Sequence, residues 1–469
     1  MIELKIDNQR VEAQQGETVL RAALRHGIEI PHFCYHPCLS VAGNCRICLV
    51  KVAGLPKLMP SCNLAVAPGM EVETDTEEVR AARRSVMQFI TLNHPGECGI
   101  CDKAGECRLQ DYQVRYGESD PLSIEPKSRK PKFYDLGSRL LLDSERCILC
   151  SRCVRFTREV SGSHQLGIVE RGSRARVERM EGKPFDDPYS DNVIGLCPVG
   201  ALLSRDFLYR SRVWFLEPVR SVCTGCSRCC SVRVWRRHRH WQLRGLGEEM
   251  NRTAYRVTAQ ENPEINGPWI CNKGFDLHKS LGRQRVLTPS IGGLAVSVNE
   301  ALSEGKWLLA AAKKPAALVS AHASNEELAT FKAALGSRLT VYTREDCRPE
   351  AGEVVEDGLL IRADKNPNGH GVHSLFGSRP WDASAGHDLV LVWGEQADYA
   401  AFGGARLIHL ASFDPAQQRN ADLLIPVSTT FERSGSFNNF EGKMNRFEKV
   451  FDKPGLVQHA SDVFWRIGA

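Results

Sequence analysis

Cys147-Ile148-Leu149-Cys150-Ser151-Arg152-Cys153, answered far downstream by Cys197-Pro198, decides how this chain is read. Three thiols recur at every third position and a fourth precedes a proline, a spacing suited to ligands that share one inorganic centre. The rest of the cysteine distribution agrees. Of 18 cysteines in 469 residues, 17 fall in residues 1–271 and only Cys347 lies beyond. That is about 4% of residues, below the roughly 8–10% that marks a disulfide scaffold. The start, Met1-Ile2-Glu3-Leu4-Lys5-Ile6-Asp7, has no basic leader followed by an apolar stretch, so no secretory signal is expected. No segment approaches the ~18 uninterrupted apolar residues of a membrane span. The thiols are therefore expected reduced, in the cytosol, where dense cysteine points to metal or catalysis. A net charge of +5 is too mild to argue for nucleic acid.

Set against the bacterial ferredoxin run C-x2-C-x2-C-x3-C-P, in which the fourth cysteine of each run serves the other cluster, the pattern is selective. The fourth position of the first run is Thr157. Counting back from Cys197, the second run would need cysteines where Asp187, Ser190 and Val193 stand. Four of eight ligand positions remain, and they are the four that build one cluster. The segment reads as a two-cluster ferredoxin module that keeps a single 4Fe–4S cluster, held by Cys147, Cys150, Cys153 and Cys197.

Three further groups flank it. Cys34, Cys45, Cys48 and Cys62 follow C-x10-C-x2-C-x13-C, with Gly43 giving backbone room beside the loop. The spacing favours 2Fe–2S over a structural zinc site, which wants paired C-x2-C knuckles. Cys38 lies inside the loop and competes for a ligand role. His94, Cys98, Cys101 and Cys107 fall within 14 positions, with Gly96, Gly99 and Gly105 permitting tight turns. Spacing leaves 4Fe–4S and zinc both open there. Cys223, Cys226, Cys229 and Cys230, with Cys271 distant, form the last group. Its triad ends at Cys229 or Cys230, and spacing does not choose; a zinc knuckle is the alternative.

Around these groups the chain reads as a multidomain α+β and α/β protein. Glu3–Asp7 and Gln9–Ala13 alternate as strands around an Asp7-Asn8 turn. Glu17–His26 reads as a helix with Val19, Leu20, Ala23 and Leu24 on one face, and Gly27 at its end. Leu49–Val52 and Met70–Glu73 are further strands. Thr76–Asn93 reads as a helix with Val79, Ala82, Val86, Phe89 and Ile90 inward. Ser119–Lys132 is a linker. From about residue 285, strands at Ala316–Ser320, Leu339–Tyr342, Leu389–Trp393, Leu407–Ala411 and Leu423–Ile425, with a helix at Asn325–Leu335, predict a parallel α/β layer. Gly369-His370-Gly371-Val372-His373-Ser374 is the nearest approach to a dinucleotide fingerprint; it follows a proline-containing loop and reads as a turn. Arg233, Arg236, Arg237, His238, Arg239, His240 and Arg244, interleaved with Trp235 and Trp241, read as a solvated edge hairpin or a subunit contact rather than a nucleic-acid patch. The two tryptophans read as packing.

The four groups in this order resemble the large iron–sulfur subunit of NADH:quinone oxidoreductase, respiratory complex I. The resemblance rests on Ala42-Gly43-Asn44-Cys45-Arg46-Ile47-Cys48-Leu49-Val50, His94-Pro95 through Asp102-Lys103-Ala104-Gly105-Glu106-Cys107, Arg146-Cys147 through Cys153-Val154-Arg155-Phe156, and Cys197-Pro198-Val199-Gly200-Ala201-Leu202. It covers residues 1–275 and continues weakly to Ser434-Gly435-Ser436-Phe437-Asn438-Asn439-Phe440-Glu441-Gly442. It implies one 2Fe–2S cluster in the first group and 4Fe–4S clusters in the other three, with His94 a ligand. In the last group it favours Cys223, Cys226, Cys230 and Cys271, leaving Cys229 free. The insertion between Cys230 and Cys271 departs from the family pattern and weakens that assignment.

The implied organisation is a β-grasp 2Fe–2S ferredoxin-like domain at 1–78, a His/Cys 4Fe–4S segment at 79–118 and a ferredoxin-like 4Fe–4S domain at 119–217. A further 4Fe–4S segment at 218–275 then opens a truncated molybdopterin-oxidoreductase-like domain at 276–469, from which no molybdopterin is expected. The implied role is electron relay from a flavin-bearing, NADH-oxidising partner through iron–sulfur clusters toward quinone. This chain would carry electrons rather than bind NADH, and no residue is expected to be catalytic. The expected partners are the flavin- and NADH-binding subunit, a small 2Fe–2S subunit and a 4Fe–4S ferredoxin-like subunit of a hetero-oligomer. Neither nucleic acid nor a membrane span is expected, and the location would be peripheral, on the inner face of the cell membrane. The rivals are a diaphorase-arm subunit of a soluble NAD-reducing hydrogenase and a zinc-structured binding scaffold. An iron-only hydrogenase would need more cysteine motifs after residue 271, and a formate dehydrogenase a longer tail.

Overall fold

Alternation of apolar and polar residues builds the first sheet. Strand β1 (Ile2–Ile6) turns through Asp7 and Asn8, both with positive φ (49° and 64°), into β2 (Gln9–Ala13). Positive φ at both central residues is the mirror-image turn whose twist suits a hairpin. The computed structural model describes residues 1–118, 124–344, 349, 351–395, 397–414 and 420–469. Cys347 and the first five residues of the 119–132 linker lie outside the described residues. The chain divides into two units, Met1–Trp214 and Phe215–Ala469.

In the first unit, Thr18 caps helix α1 (Val19–Arg25) by accepting from Arg21 N at 3.3 Å. Strands β3 (Leu49–Val52), β4 (Met59–Pro60) and β5 (Glu71–Glu73) complete a mixed sheet ordered β2-β1-β5-β3-β4. Leu4, Ile6, Val11, Val19, Leu20, Val50 and Val72 form its core. Leu24, expected inward, is 39% exposed, because the buried face of α1 is Val19, Leu20, Ala22 and Ala23. Helix α2 (Glu77–Thr91) also differs from expectation. It buries Val79, Arg83 and Met87, spaced by four, and leaves Phe89 78% exposed. Arg83 faces inward because its guanidinium finds Leu49 O and the face of Tyr116.

Helix α3 (Arg108–Tyr116) starts at Cys107. Strands β6 (Tyr134–Asp135) and β7 (Leu140–Leu142) lead to the C-x2-C-x2-C loop and helix α4 (Arg152–Glu159). A hairpin of β8 (Leu166–Val169) and β9 (Arg176–Arg179), a short helix α5 (Asn192–Leu196) and strand β10 (Leu202–Ser204) follow. Strand β10 closes a sheet ordered β10-β7-β6.

The second unit opens with an antiparallel sheet ordered β11 (Leu216–Val222), β12 (Ser231–Arg237) and β13 (Arg256–Ala259). The basic stretch therefore begins on a central strand, paired on both sides, and not on the expected edge hairpin. Trp235 packs as expected: its indole N–H donates to Thr258 Oγ1, and Arg256 covers its ring at 4.3 Å. Helix α6 (Asn272–Phe275) follows Cys271.

Beyond it come β14 (Ser290–Ile291), β15 (Leu294–Ala295), α7 (Val298–Ala311), β16 (Pro315–Val319), α8 (Asn325–Leu335), β17 (Thr340–Thr343), α9 (Gly369–Phe376), β18 (Leu389–Trp393), β19 (Arg406–Ala411) and β20 (Leu423–Pro426). The sheet order is β15-β14-β20-β19-β18-β16-β17, parallel from β20 to β17. Residues 369–374, expected as a turn, form the start of α9 instead. The hairpin β21 (Gly435–Asn438) and β22 (Met444–Phe447) holds the 434–442 motif, and α10 (Ala460–Gly468) ends the chain. Helices α7, α8 and α10 pack on one sheet face around Leu308, Phe331, Phe464 and Ile467. The second unit is α/β and the first α+β.

Candidate cofactor-binding site

The first cysteine group is drawn together by its loop. Cys34, Cys48 and Cys62 are buried, while Cys45 is half-buried and Cys38 exposed. Gly43 (φ 61°) and Arg46 (φ 58°) adopt left-handed backbone around Cys45. The Cys34 sulfur is hydrogen-bonded to Cys45 and Cys62, which pushes its thiol down to about 2. The partnership with Cys34 pushes both of those thiols up. Cys48, bonded to Cys62, falls to about 7. One negative charge is thus stabilised by thiols that share it.

In the second group, Cys101 and Cys107 are buried and Cys98 is exposed. Burial pushes the Cys107 thiol up to about 11. Gly200 lies directly against Cys101: an added Cβ would sit 2.1 Å from its sulfur. Burial, reinforced by the Arg146 and Lys127 charges, lowers His94 to about 4, so its ring is neutral near pH 7. Its Nδ1 is buried with no hydrogen-bond partner. A neutral imidazole with an unspent ring nitrogen has the chemistry of a metal ligand.

Cys147, Cys150, Cys153 and Cys197 line one small cavity with Leu142, Val177 and Leu202. Leu149 (φ 53°) and Ser151 (φ 60°) supply the reversals between the thiols. Leu149 N donates to Cys147 Sγ at 3.4 Å. Burial raises Cys147 to about 11 and Cys150 to about 12. The positions where a second ferredoxin ligand set would stand are spent on packing: Thr157, Ser190 and Val193 are wholly buried, and Thr157 Oγ1 donates to Val154 O.

In the fourth group, Cys223 N donates to Cys230 O at 2.8 Å, and Gly225 N donates to Cys223 Sγ at 3.4 Å. Cys223 and Cys230 share one apolar cluster with Val232 and Ile270. Burial raises both thiols, and Cys271 and Cys226 act electrostatically on each. Cys229 turns away, with φ 53°. Its thiol donates to Pro367 O at 2.8 Å and packs with Val222, Phe437 and Phe447.

The residues that hold the first three groups in place are arginines that spacing did not single out. Arg152 Nη1 donates to Leu196 O at 3.1 Å, and its Nη2 donates to Tyr35 O. Arg155 donates to Cys34 O, Ser40 O and Cys150 O. Asn44 Nδ2 donates to Leu149 O at 3.1 Å, so the first and third loops are joined directly. Arg146, just before Cys147, pairs with Glu97, just before Cys98, at 2.8 Å and with Asp143 at 3.1 Å. Lys132 closes that network on Glu97 and Glu145. Arg108 N donates to Pro198 O at 3.1 Å, tying α3 to the residue after Cys197. Arg152 and Arg155 were detectable in principle: two arginines three apart on the helix that leaves a ligand loop face the loop, not solvent.

The expected inventory of one 2Fe–2S and three 4Fe–4S clusters is corrected. Among the described residues no group of three or more His, Cys, Asp or Glu side chains is disposed to hold a metal ion. The physical reason lies in the thiols themselves. Most are held protonated by burial or bonded to one another, so they pack rather than converge on a common point. Iron–sulfur-binding regions stand, without number or nuclearity.

Comparison with known proteins supplies the regions. Residues 1–77 match the family model "2Fe-2S iron-sulfur cluster binding domain". Residues 83–121 match "NADH-ubiquinone oxidoreductase-G iron-sulfur binding region", and residues 137–203 match "NADH-quinone oxidoreductase subunit 3, ferredoxin-like domain". The chain is 40% identical over 294 residues to NADH-quinone oxidoreductase-G of Streptomyces coelicolor, covering 62% of this chain and 33% of that protein. It is 39% identical over 308 residues to the mitochondrial NADH dehydrogenase [ubiquinone] iron-sulfur protein 1 of Solanum tuberosum, covering 65% and 40%. It therefore spans about a third to two fifths of the length of these relatives. A crystal structure of an NAD+-reducing [NiFe]-hydrogenase aligns with 45% of this chain and 91% of its own at 29% identity, with a TM-score of 0.41. No helix among the described residues is long and apolar enough to cross a membrane.

Proposed function

We propose, from the premise that residues 1–203 carry in order the three iron–sulfur regions of the NADH-quinone oxidoreductase-G family, that this chain is an electron-relay subunit of such an enzyme. Electrons would arrive from a flavin-bearing, NADH-oxidising partner and leave toward quinone through other iron–sulfur subunits. The assembly would lie on the inner face of the membrane. The donor groups are Cys34, Cys45, Cys48 and Cys62; His94, Cys98, Cys101 and Cys107; Cys147, Cys150, Cys153 and Cys197; and Cys223, Cys226, Cys230 and Cys271. The domain limits at 78, 118, 217 and 275 belong to this reading, as do a β-grasp start and a shortened molybdopterin-oxidoreductase-like end.

Iron–sulfur centres supply reversible one-electron chemistry when bound. The chain's own part is to hold donors close, dry and rigid, because tunnelling falls steeply with separation. Thiols lose their protons to bind metal, so the buried ones near 11 and 12 would release protons on loading. Leu149 N–H and Gly225 N–H already point at sulfur, and such bonds favour the added electron. His94 brings a neutral donor where the other groups bring thiolates, which favours reduction there.

The observation that carries this reading is Arg155, whose Nη2 reaches carbonyls of both the first and the third donor loops. A zinc-structured scaffold needs no such coupling between separate sites. Redox-titrated EPR of the purified full chain tests it. Reducible signals that disappear selectively in Cys48→Ser and in Cys150→Ser support the relay. A chain silent at every potential, with both variants indistinguishable from the parent, contradicts it.

A further inference from the structure

The segment between Cys230 and Cys271, where the chain departs from its relatives' pattern, builds something the relay does not use. After β12 ends at Arg237, the chain turns through a 3-10 segment (Arg239–Trp241) and returns through Gly245–Arg252. Between these lies an open basin of about 820 Å3, bordered by Arg236, Arg239, His240, Arg244, Arg252 and Asp452. Arg236 is committed to Glu217 at 2.8 Å and to Val450 O. Asp452 is taken by Lys449 at 2.6 Å. Glu249 is the other acid on the border, so arginines outnumber carboxylates there. Among the described residues, Arg239, Arg244 and Arg252 take part in no ion pair, and all three are exposed.

Like charges facing one concavity repel, and a concave wall focuses their field where a convex surface would disperse it. An ordinary solvated face spreads its arginines and pairs them. The guanidinium fork matches the oxygens of phosphate. The volume falls within the roughly 300–1,000 Å3 of small-molecule sites. Apart from Leu243 and Phe451 the border is polar, so an apolar ligand body is not what it fits. Trp241 stacks on Phe215 and does not line the basin, so it offers no platform for a nucleic-acid base. The basin selects charge rather than a ring.

We propose that this basin binds a compact anion carrying two or more phosphate groups, gripped by Arg239, Arg244 and Arg252. The phosphate chain is the recognised part, whether free or borne by a nucleotide. The test is isothermal titration of the purified full chain with inorganic triphosphate, ATP, orthophosphate and sulfate, at matched ionic strength and without divalent cation. Triphosphate is expected to bind saturably at one site, at least about tenfold tighter than orthophosphate or sulfate. Arg239→Gln and Arg252→Gln are each expected to weaken it about tenfold or more. Arg239→Lys keeps the charge without the fork and is expected to fall between. Arg338→Gln, elsewhere on the surface, is expected to leave it unchanged. Equal affinities for ATP and triphosphate identify the bare chain as sufficient; a tighter ATP identifies a nucleotide. Sulfate matching triphosphate, or binding unchanged in Arg239→Gln/Arg244→Gln/Arg252→Gln, overturns the proposal. So does capture of an RNA oligomer with no response to triphosphate. Unchanged circular dichroism in the variants keeps each outcome decisive.

Discussion

Arg155 donates from Nη2 to the carbonyl oxygen of Cys34, 121 positions away in sequence. The same nitrogen reaches Cys150 O at 3.3 Å, Nη1 reaches Ser40 O, and Nε reaches Ser151 Oγ. A side chain usually kept in water is here the tie between two donor loops.

Replacing Arg155 by Met keeps the aliphatic stem and leaves three carbonyls without their donor. Charge-assisted bonds contribute roughly 1.5–3 kcal/mol each, with losses that overlap, so a net destabilisation of about 3 kcal/mol is expected. Urea unfolding of the full chain measures it. Arg155→Lys restores one bond without the fork and is expected to recover less than half. A loss below about 0.5 kcal/mol for the Met variant would show that the tie is ornamental.

Gly200 has no room for a methyl group. Its Cβ would lie 2.1 Å from Cys101 Sγ and 3.1 Å from Lys103 Cβ. Gly200→Ala is expected to displace Cys101, cost about 1–3 kcal/mol and lower the iron retained per chain. Metal analysis beside a thermal melt reads both effects. Gly195→Ala, where nothing lies within 4 Å of an added Cβ, is the control for handling a glycine nearby.

The adjacent pair Cys229 and Cys230 separates by environment. Cys229 donates to Pro367 O and packs against Phe437 and Phe447, whereas Cys230 shares its cluster with Cys223. Cys229→Ser keeps a donor for Pro367 O and is expected to leave metal content unchanged. Cys230→Ser is expected to lower it. The reverse pattern, read by iron analysis of both proteins, would assign the ligand role to Cys229.

His409 gives a pH dependence free of the thiol groups. It is wholly buried on β19; its Nε2 donates to Gly394 O at 2.6 Å and Nδ1 accepts from Tyr399 at 2.5 Å. Burial lowers it from 6.5 to about 4. The unfolded chain therefore binds the extra proton between those values, so stability is full above about pH 6.5 and is lost as pH falls toward 4. The ceiling for one such group is about 3 kcal/mol. His409→Gln is expected to flatten that part of the stability–pH curve, measured by urea midpoints across the window. Parallel curves for parent and variant would remove His409 as a cause.

Much of the frame was legible because its periods are simple. Leu389–Trp393 and Asn325–Leu335 appear where their apolar runs placed them, since a strand buried on both faces and a capped helix both write their limits into sequence. Ser324 and Glu327 form the capping box that starts that helix. Helix α2 was legible in extent but not in facing. An arginine that finds a carbonyl and an aromatic face goes inward, and Phe89 of the same helix stays out. The start of α9 was hidden because Gly369 and Gly371 argue for a turn, while Asn325 Oδ1 and Asn368 Oδ1 press so close to Gly371 that no larger residue fits there. The donor sets were visible as spacing. The arginines that bind the loops together were not, because their partners are backbone carbonyls, which carry no sequence signature.

The most direct test of the central claim is a joint assay of iron, zinc and acid-labile sulfide in the full chain, purified without oxygen. The account predicts iron and sulfide bound in comparable amounts, with both reduced in Cys150→Ser. Zinc bound in place of iron, with no labile sulfide, would contradict it.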